Sequence, residues 1–86
     1  MKCSIEISMY PLNQHYVDPI ISFIRKLRNH QEIIVETNGM STQIFGEYDI
    51  IMDAVNKEMK SVFLENEKVV FNLKIVNSYL LEKPKF

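Results

Sequence analysis

From residue 3 to residue 10, apolar and polar side chains alternate. Cys3, Ile5, Ile7 and Met9 fall on one face, and Ser4, Glu6, Ser8 and Tyr10 on the other. A period of two among β-forming residues predicts a strand with one buried face. Pro11 carries no backbone N–H for the ladder and ends it. The period then changes. Asp18-Pro19 reads as an N-cap followed by proline at the first helical position. Ile20, Phe23, Ile24 and Leu27 recur at helical spacing, with Arg25, Lys26 and Arg28 opposite and close to the C-terminal end of the dipole. The spacing predicts a helix over 18–29.

Residues 32–37 return to β-branched, strand-like composition, and Asn38-Gly39 is a strong two-residue hairpin signal. Residues 40–46 form the partner strand. A two-residue turn sets Thr37 opposite Met40, Glu36 opposite Ser41, Val35 opposite Thr42 and Ile34 opposite Gln43. One face then holds Ile33, Val35, Thr37, Met40, Thr42 and Ile44. The other holds Ile34, Glu36, Ser41, Gln43 and Phe45. Asp49 reads as the cap of a second helix reaching about residue 64, with Ile51, Val55, Met59 and Val62 as its apolar stripe and Ile50 and Ala54 beside them. Residues 68–77 alternate again: Val69, Phe71, Leu73 and Ile75 against Val70, Asn72, Lys74 and Val76. The remaining tail contains a proline near its end and is expected to be loosely ordered.

The predicted string is β-α-β-β-α-β, the split βαβ or ferredoxin-like pattern. It implies an α+β sandwich: an antiparallel four-stranded sheet with two helices on one face and the other face uncovered. Eighty-six residues are read as one domain, residues 1–86. A chain this short buries a modest share of its surface, which makes association a common remedy. Ten Lys and Arg against eleven Asp and Glu leave a net charge of −1, without the basic footprint of a nucleic-acid binder. The single cysteine excludes an internal disulfide, and no metal-ligand spacing is present. The first ten residues have no apolar core of signal-peptide length, and no apolar run approaches a membrane span. These features favour the cytoplasm, without membrane insertion.

The βαββαβ order, the SMYPL strand end at residues 8–12, the STQIFG strand at residues 41–46 and the GEYDIIMDAV helix start at residues 46–55 resemble the YkoF-like thiamine- and hydroxymethylpyrimidine-binding proteins. The resemblance covers roughly residues 4–77. It implies a ferredoxin-like domain that binds thiamine, chiefly through the pyrimidine ring, without catalysis and without a cofactor. Such proteins carry two domains in tandem or associate as dimers or tetramers. One copy here implies a homodimer or homotetramer. The tail is shorter than in members that end in an added helix.

Within that resemblance, the uncovered face gathers Glu6, Ser8 and Tyr10 from the first strand and Ser41 and Gln43 from the third, with Asn72 and Lys74 from the fourth. Hydroxyl, amide and carboxylate groups match the ring acceptors and amine donor of an aminopyrimidine. A tyrosine face attracts a thiazolium cation, and Glu6 or Glu36 adds charge complementarity. The same set also reads as a solvated strand face or a polar-flecked dimer contact, since Ile34, Phe45, Val70 and Val76 share it. Thr42 falls instead on the helix-covered face between Val35 and Ile44. A buried hydroxyl there needs a partner, either backbone or a ligand in a cleft. The uncovered face near a subunit boundary is the favoured pocket.

Gly46 is read as a turn residue at the strand-to-helix corner, His15 and His30 as loop histidines, and Cys3 as a buried small hydrophobe. The main competing function is an ACT-type ligand-sensing or interaction domain. An acylphosphatase-like enzyme would want an arginine-bearing anion loop after the first strand, and PLNQHYVDP has none. An RNA-binding domain would need stacking aromatics on the central strands, where only Tyr10 and Phe45 qualify.

Overall fold

The computed structural model describes residues 1–86 and has the expected βαββαβ order. The elements are β1 (Lys2–Pro11), α1 (Val17–Arg28), β2 (Ile34–Thr37), β3 (Thr42–Glu47), α2 (Tyr48–Glu65) and β4 (Val69–Val76). The strands form one antiparallel sheet in the order β2-β3-β1-β4, with β1 and β3 at its centre. Both helices lie against the face that carries Cys3, Ile5, Ile7 and Met9. These four join Phe23, Leu27, Ile33, Ile44, Ile51, Ala54, Val55 and Val62 in a core of 12 buried residues. The protein is a ferredoxin-like α+β sandwich.

Both helices start one residue before the expected caps. Tyr16 and Glu47 occupy the N-cap positions and neither makes a side-chain cap bond. Asp18 and Asp49 lie in the first turns, where a carboxylate complements the positive end of the dipole. Pro19 falls at the third helical position, whose N–H has no partner within the helix in any case. The buried stripe of α2 also departs from expectation. Glu58 is buried beside Val55 and Val62, while Met59 is only partly buried. The carboxylate of Glu58 accepts a 2.7 Å hydrogen bond from His30 Nε2, so that histidine staples the end of α1 to α2 rather than sitting free in a loop.

The hairpin register is corrected by two residues. Thr37 pairs with Thr42, Glu36 with Gln43, Val35 with Ile44 and Ile34 with Phe45. Residues 38–41 form a four-residue loop, in which neither Asn38 nor Gly39 adopts positive φ. The asparagine side chain builds the turn instead: its Oδ1 accepts from the N–H groups of Met40 at 2.8 Å and Ser41 at 3.1 Å. A shift of two residues conserves the period, so every side chain on the paired strands keeps its expected face. Met40 alone is removed from the core face, standing 89% exposed at the loop tip.

Gly46 lies inside β3, not at a corner, and its φ is not positive. A Cβ there would stand 3.2 Å from Ile33 Cγ2, so close packing of the chain segment before β2 explains the glycine. Burial pushes the Cys3 thiol above its ordinary value, with the Glu47 charge adding to the shift and the N-terminal charge opposing it. No helix is long and apolar enough to cross a membrane.

Candidate functional site

β1 is the strand on which the candidate residues hang. Its outward side chains meet those of β3 and β4 in rows set by the ladder: Glu6 beside Gln43 and Lys74, Ser8 beside Asn72, and Tyr10 beside Val70. Three of the expected residues come together in one hydrogen-bonded chain. Gln43 Nε2 donates to Ser41 Oγ at 2.8 Å, and Ser41 Oγ donates to Glu6 Oε2 at 3.0 Å. Lys74 Nζ stands 3.6 Å from the other Glu6 oxygen. Glu36, exposed on the edge strand, faces Gln43 across the ladder. This group answers its own polar demands with its own members, and it adjoins a depression of about 230 Å³ over Glu6, Gln43, Phe45 and Leu80.

The outward face is not bare. The tail crosses the Ser4 end of it, and Ser4 Oγ donates to the Ser78 carbonyl at 2.7 Å and accepts from the Leu80 N–H at 2.8 Å. Tyr79 packs edge-on against Phe45 at 6.1 Å between ring centroids, with Lys2 Nζ 4.6 Å from its ring centre. Ser4 and Phe45 are thereby buried on a face expected to be open, and residues 78–80 of the tail are docked rather than loose, while residues 82–86 stand exposed. Aromatic contact and two hydrogen bonds outweigh the polar composition of the segment.

At the other end of β1 the arrangement differs. β3 stops pairing with β1 at Ile7↔Thr42, but β1 runs on to Pro11. The space that β3 would have continued into is a cleft of about 200 Å³ between the end of β1, the 38–41 loop and the first turns of α1. Its walls are chiefly apolar, with Met9 from the strand and Ile20, Phe23 and Ile24 from the helix. Polar groups enter from one side. Thr37 and Thr42 point into it as a cross-strand pair, their Oγ1 atoms 2.9 Å apart, so the partner of the buried Thr42 hydroxyl is another hydroxyl and not the backbone. Of the residues singled out from sequence, Ser8, Tyr10, Ser41 and Thr42 border this cleft, while Glu6, Glu36 and Gln43 do not.

Thr37, Asn38 and Phe23 are among the nine cleft residues that were not singled out from the sequence as site residues. Thr37 was already placed on the same face as Thr42, and the true register makes the two direct neighbours. An apolar concavity with a few converging hydroxyls has the composition of a small-molecule site. Groups of His, Cys, Asp and Glu able to hold a metal ion are absent.

The structure is thus a ferredoxin-like sandwich with an apolar, hydroxyl-edged cleft at one sheet end. Comparisons with known proteins identify its family. The sequence model of the thiamine-binding protein family matches residues 5–78, and the chain belongs to that family. Among solved structures it is similar to a hypothetical protein of Methanocaldococcus jannascii, with 27% identity, TM-score 0.78, and coverage of 98% of this chain and 88% of that one. It is similar also to a protein of Streptococcus pneumoniae, with 26% identity, TM-score 0.72, and coverage of 94% and 91%. A Thermotoga maritima protein provisionally assigned to thiamine biosynthesis or salvage shares the fold, with 21% identity, TM-score 0.79, and coverage of 91% and 85%. No curated protein matches the chain significantly.

Proposed function

We propose that this protein binds thiamine through its hydroxymethylpyrimidine ring, without catalysing a reaction, and that the ring enters the cleft at the end of β1. The family match over residues 5–78 carries the ligand class. The Thr37–Thr42 hydroxyl pair above apolar walls supports the location, because a neutral heteroaromatic ring needs both apolar contact and a few fixed polar groups. The self-satisfied Glu6–Ser41–Gln43 chain offers fewer unengaged groups. At about 200 Å³ the cleft falls below the roughly 300 Å³ of typical ligand sites. A second copy of the chain is therefore proposed to complete it, in a homodimer or homotetramer. Binding without chemistry suits a carrier, a buffer or an accessory to uptake.

Calorimetric titration with thiamine, its phosphates and the free hydroxymethylpyrimidine tests this reading. Heat with all the ligands that carry the pyrimidine is expected. Thr37→Val and Thr42→Val together should weaken binding by about tenfold or more, the worth of one to two lost hydrogen bonds. Absence of heat and of thermal shift at millimolar thiamine would overturn the proposal. A stable monomer at micromolar concentration, measured by solution mass, would remove the shared-site part of it.

A further inference from the structure

The end of β1 carries a second set of polar groups, in its backbone. Tyr48 N–H donates to the Met1 carbonyl at 2.8 Å, and Leu12 N–H donates to the Lys68 carbonyl at 2.9 Å. With the observed registers, these two bonds set the direction of the main chain all along β1. Odd-numbered residues turn their N–H and C=O toward β3, and even-numbered residues turn theirs toward β4. Ile7 is the last odd residue with a β3 partner, Thr42. The next is Met9, whose partner in a continued ladder would be Met40. That partner is lost: the Met40 N–H is held by Asn38 Oδ1 at 2.8 Å in the exposed loop. No backbone bond between Met9 and the loop is formed.

Met9 therefore presents one N–H and one C=O, side by side, to the cleft, while its residue as a whole is only 8% exposed. Main-chain N–H and C=O groups away from bulk solvent are nearly always paired, with protein, water or a ligand. A further strand is a poor occupant for this edge. The next position facing the same way is Pro11, which has no N–H to continue a ladder. What fits is a small planar group that carries one acceptor beside one donor.

We infer that the N–H and C=O of Met9 read the aminopyrimidine edge of the ligand. The N–H donates to the ring nitrogen next to the amine-bearing carbon, and the C=O accepts from the exocyclic amine. This inference rests on the proposed thiamine binding and adds to it the atoms that select the pyrimidine. The ring lies in the plane that β3 vacates, with Phe23 and Ile20 of α1 over one face. The specificity is carried by main-chain atoms, so it holds whatever side chain stands at position 9. An analogue with a carbonyl oxygen in place of the amine reverses both partners, placing acceptor against acceptor and donor against donor.

The test uses the whole chain labelled with 15N-methionine, whose five methionines give a sparse amide spectrum. At saturating thiamine, the Met9 amide is expected to shift and to exchange its hydrogen at least about tenfold more slowly, while the helical Met52 and Met59 amides stay unchanged. In parallel titrations, pyrithiamine, which keeps the aminopyrimidine, should bind within a few-fold of thiamine. Oxythiamine, which carries the oxygen, should bind at least about tenfold more weakly. Thiamine binding with an unmoved Met9 amide, or equal affinity for oxythiamine, overturns the inference and leaves the thiamine function standing. Absence of any thiamine binding overturns both.

Discussion

The two ends of β1 are built from the same alternation and reach opposite outcomes. Near Ser4 the strand is paired on both edges and its outward face lies under the tail. Near Ser8 it has lost β3, its outward face is open, and a cleft replaces the missing neighbour. Both ends show Ser-apolar-polar patterning, yet one is a closed structural joint and the other an unfilled space. Periodicity along a strand tells which face a residue takes. What covers that face depends on how far the neighbouring strands run.

The sharpest way to break this contrast is in the core. Ile5→Ala, at the doubly paired end, should destabilise by about 2–5 kcal/mol, whereas Met9→Ala, beside existing empty space, should fall at or below the bottom of that range. Urea denaturation of both variants checks the order, and equal losses would contradict it. Removal of residues 78–86 strips Ser4 Oγ of both its partners and uncovers Phe45. A loss of about 1–3 kcal/mol is expected in urea denaturation. At single-atom scale, Ser4→Ala should cost about 1 kcal/mol in thermal unfolding. Ser8→Ala, which removes no such pair of bonds, should stay within about 0.5 kcal/mol.

The smallest effect concerns Cys3, at the closed end. Its thiol is raised, so the folded state keeps a proton that the unfolded chain releases. The associated stability is present below the ordinary thiol value of 9.0 and is lost as pH rises past it toward the folded value. Cys3→Ala should lose less stability between pH 8 and pH 10.5 than the parent does, as read from paired denaturation curves.

Much of the fold was legible in the chain because its signals are periodic. The alternation of residues 3–10 and 68–77 and the stripes at Ile20–Leu27 and Ile51–Val62 name elements and faces without any knowledge of neighbours. The register of the hairpin was not legible, because Asn38-Gly39 serves two turn geometries equally well in sequence. In one the backbone turns through positive φ, and in the other the asparagine side chain accepts the loop N–H groups. Glu58 was hidden for a related reason. A carboxylate on an apolar stripe makes sense only once His30, 28 residues away in sequence, is known to meet it. The candidate cleft was half legible. Ser41 and Thr42 were separated correctly onto two faces, but a cleft formed where a strand ends has no signature in the residues that border it.

The docked tail has a consequence for assembly. Any molecule that settles on the outward face meets a divided landing ground. Toward Ser4 it encounters a strap tied down by Ser78 and Leu80 and propped on Phe45 through Tyr79. Toward Ser8 it finds bare sheet, Tyr10, Val70 and Asn72. A second copy can lie flat only on the bare half or by lifting the strap from both. Lifting the strap would break two hydrogen bonds at Ser4 in each copy, four in a pair of copies, so residues 78–80 would direct any second copy toward the end of the sheet where the cleft opens.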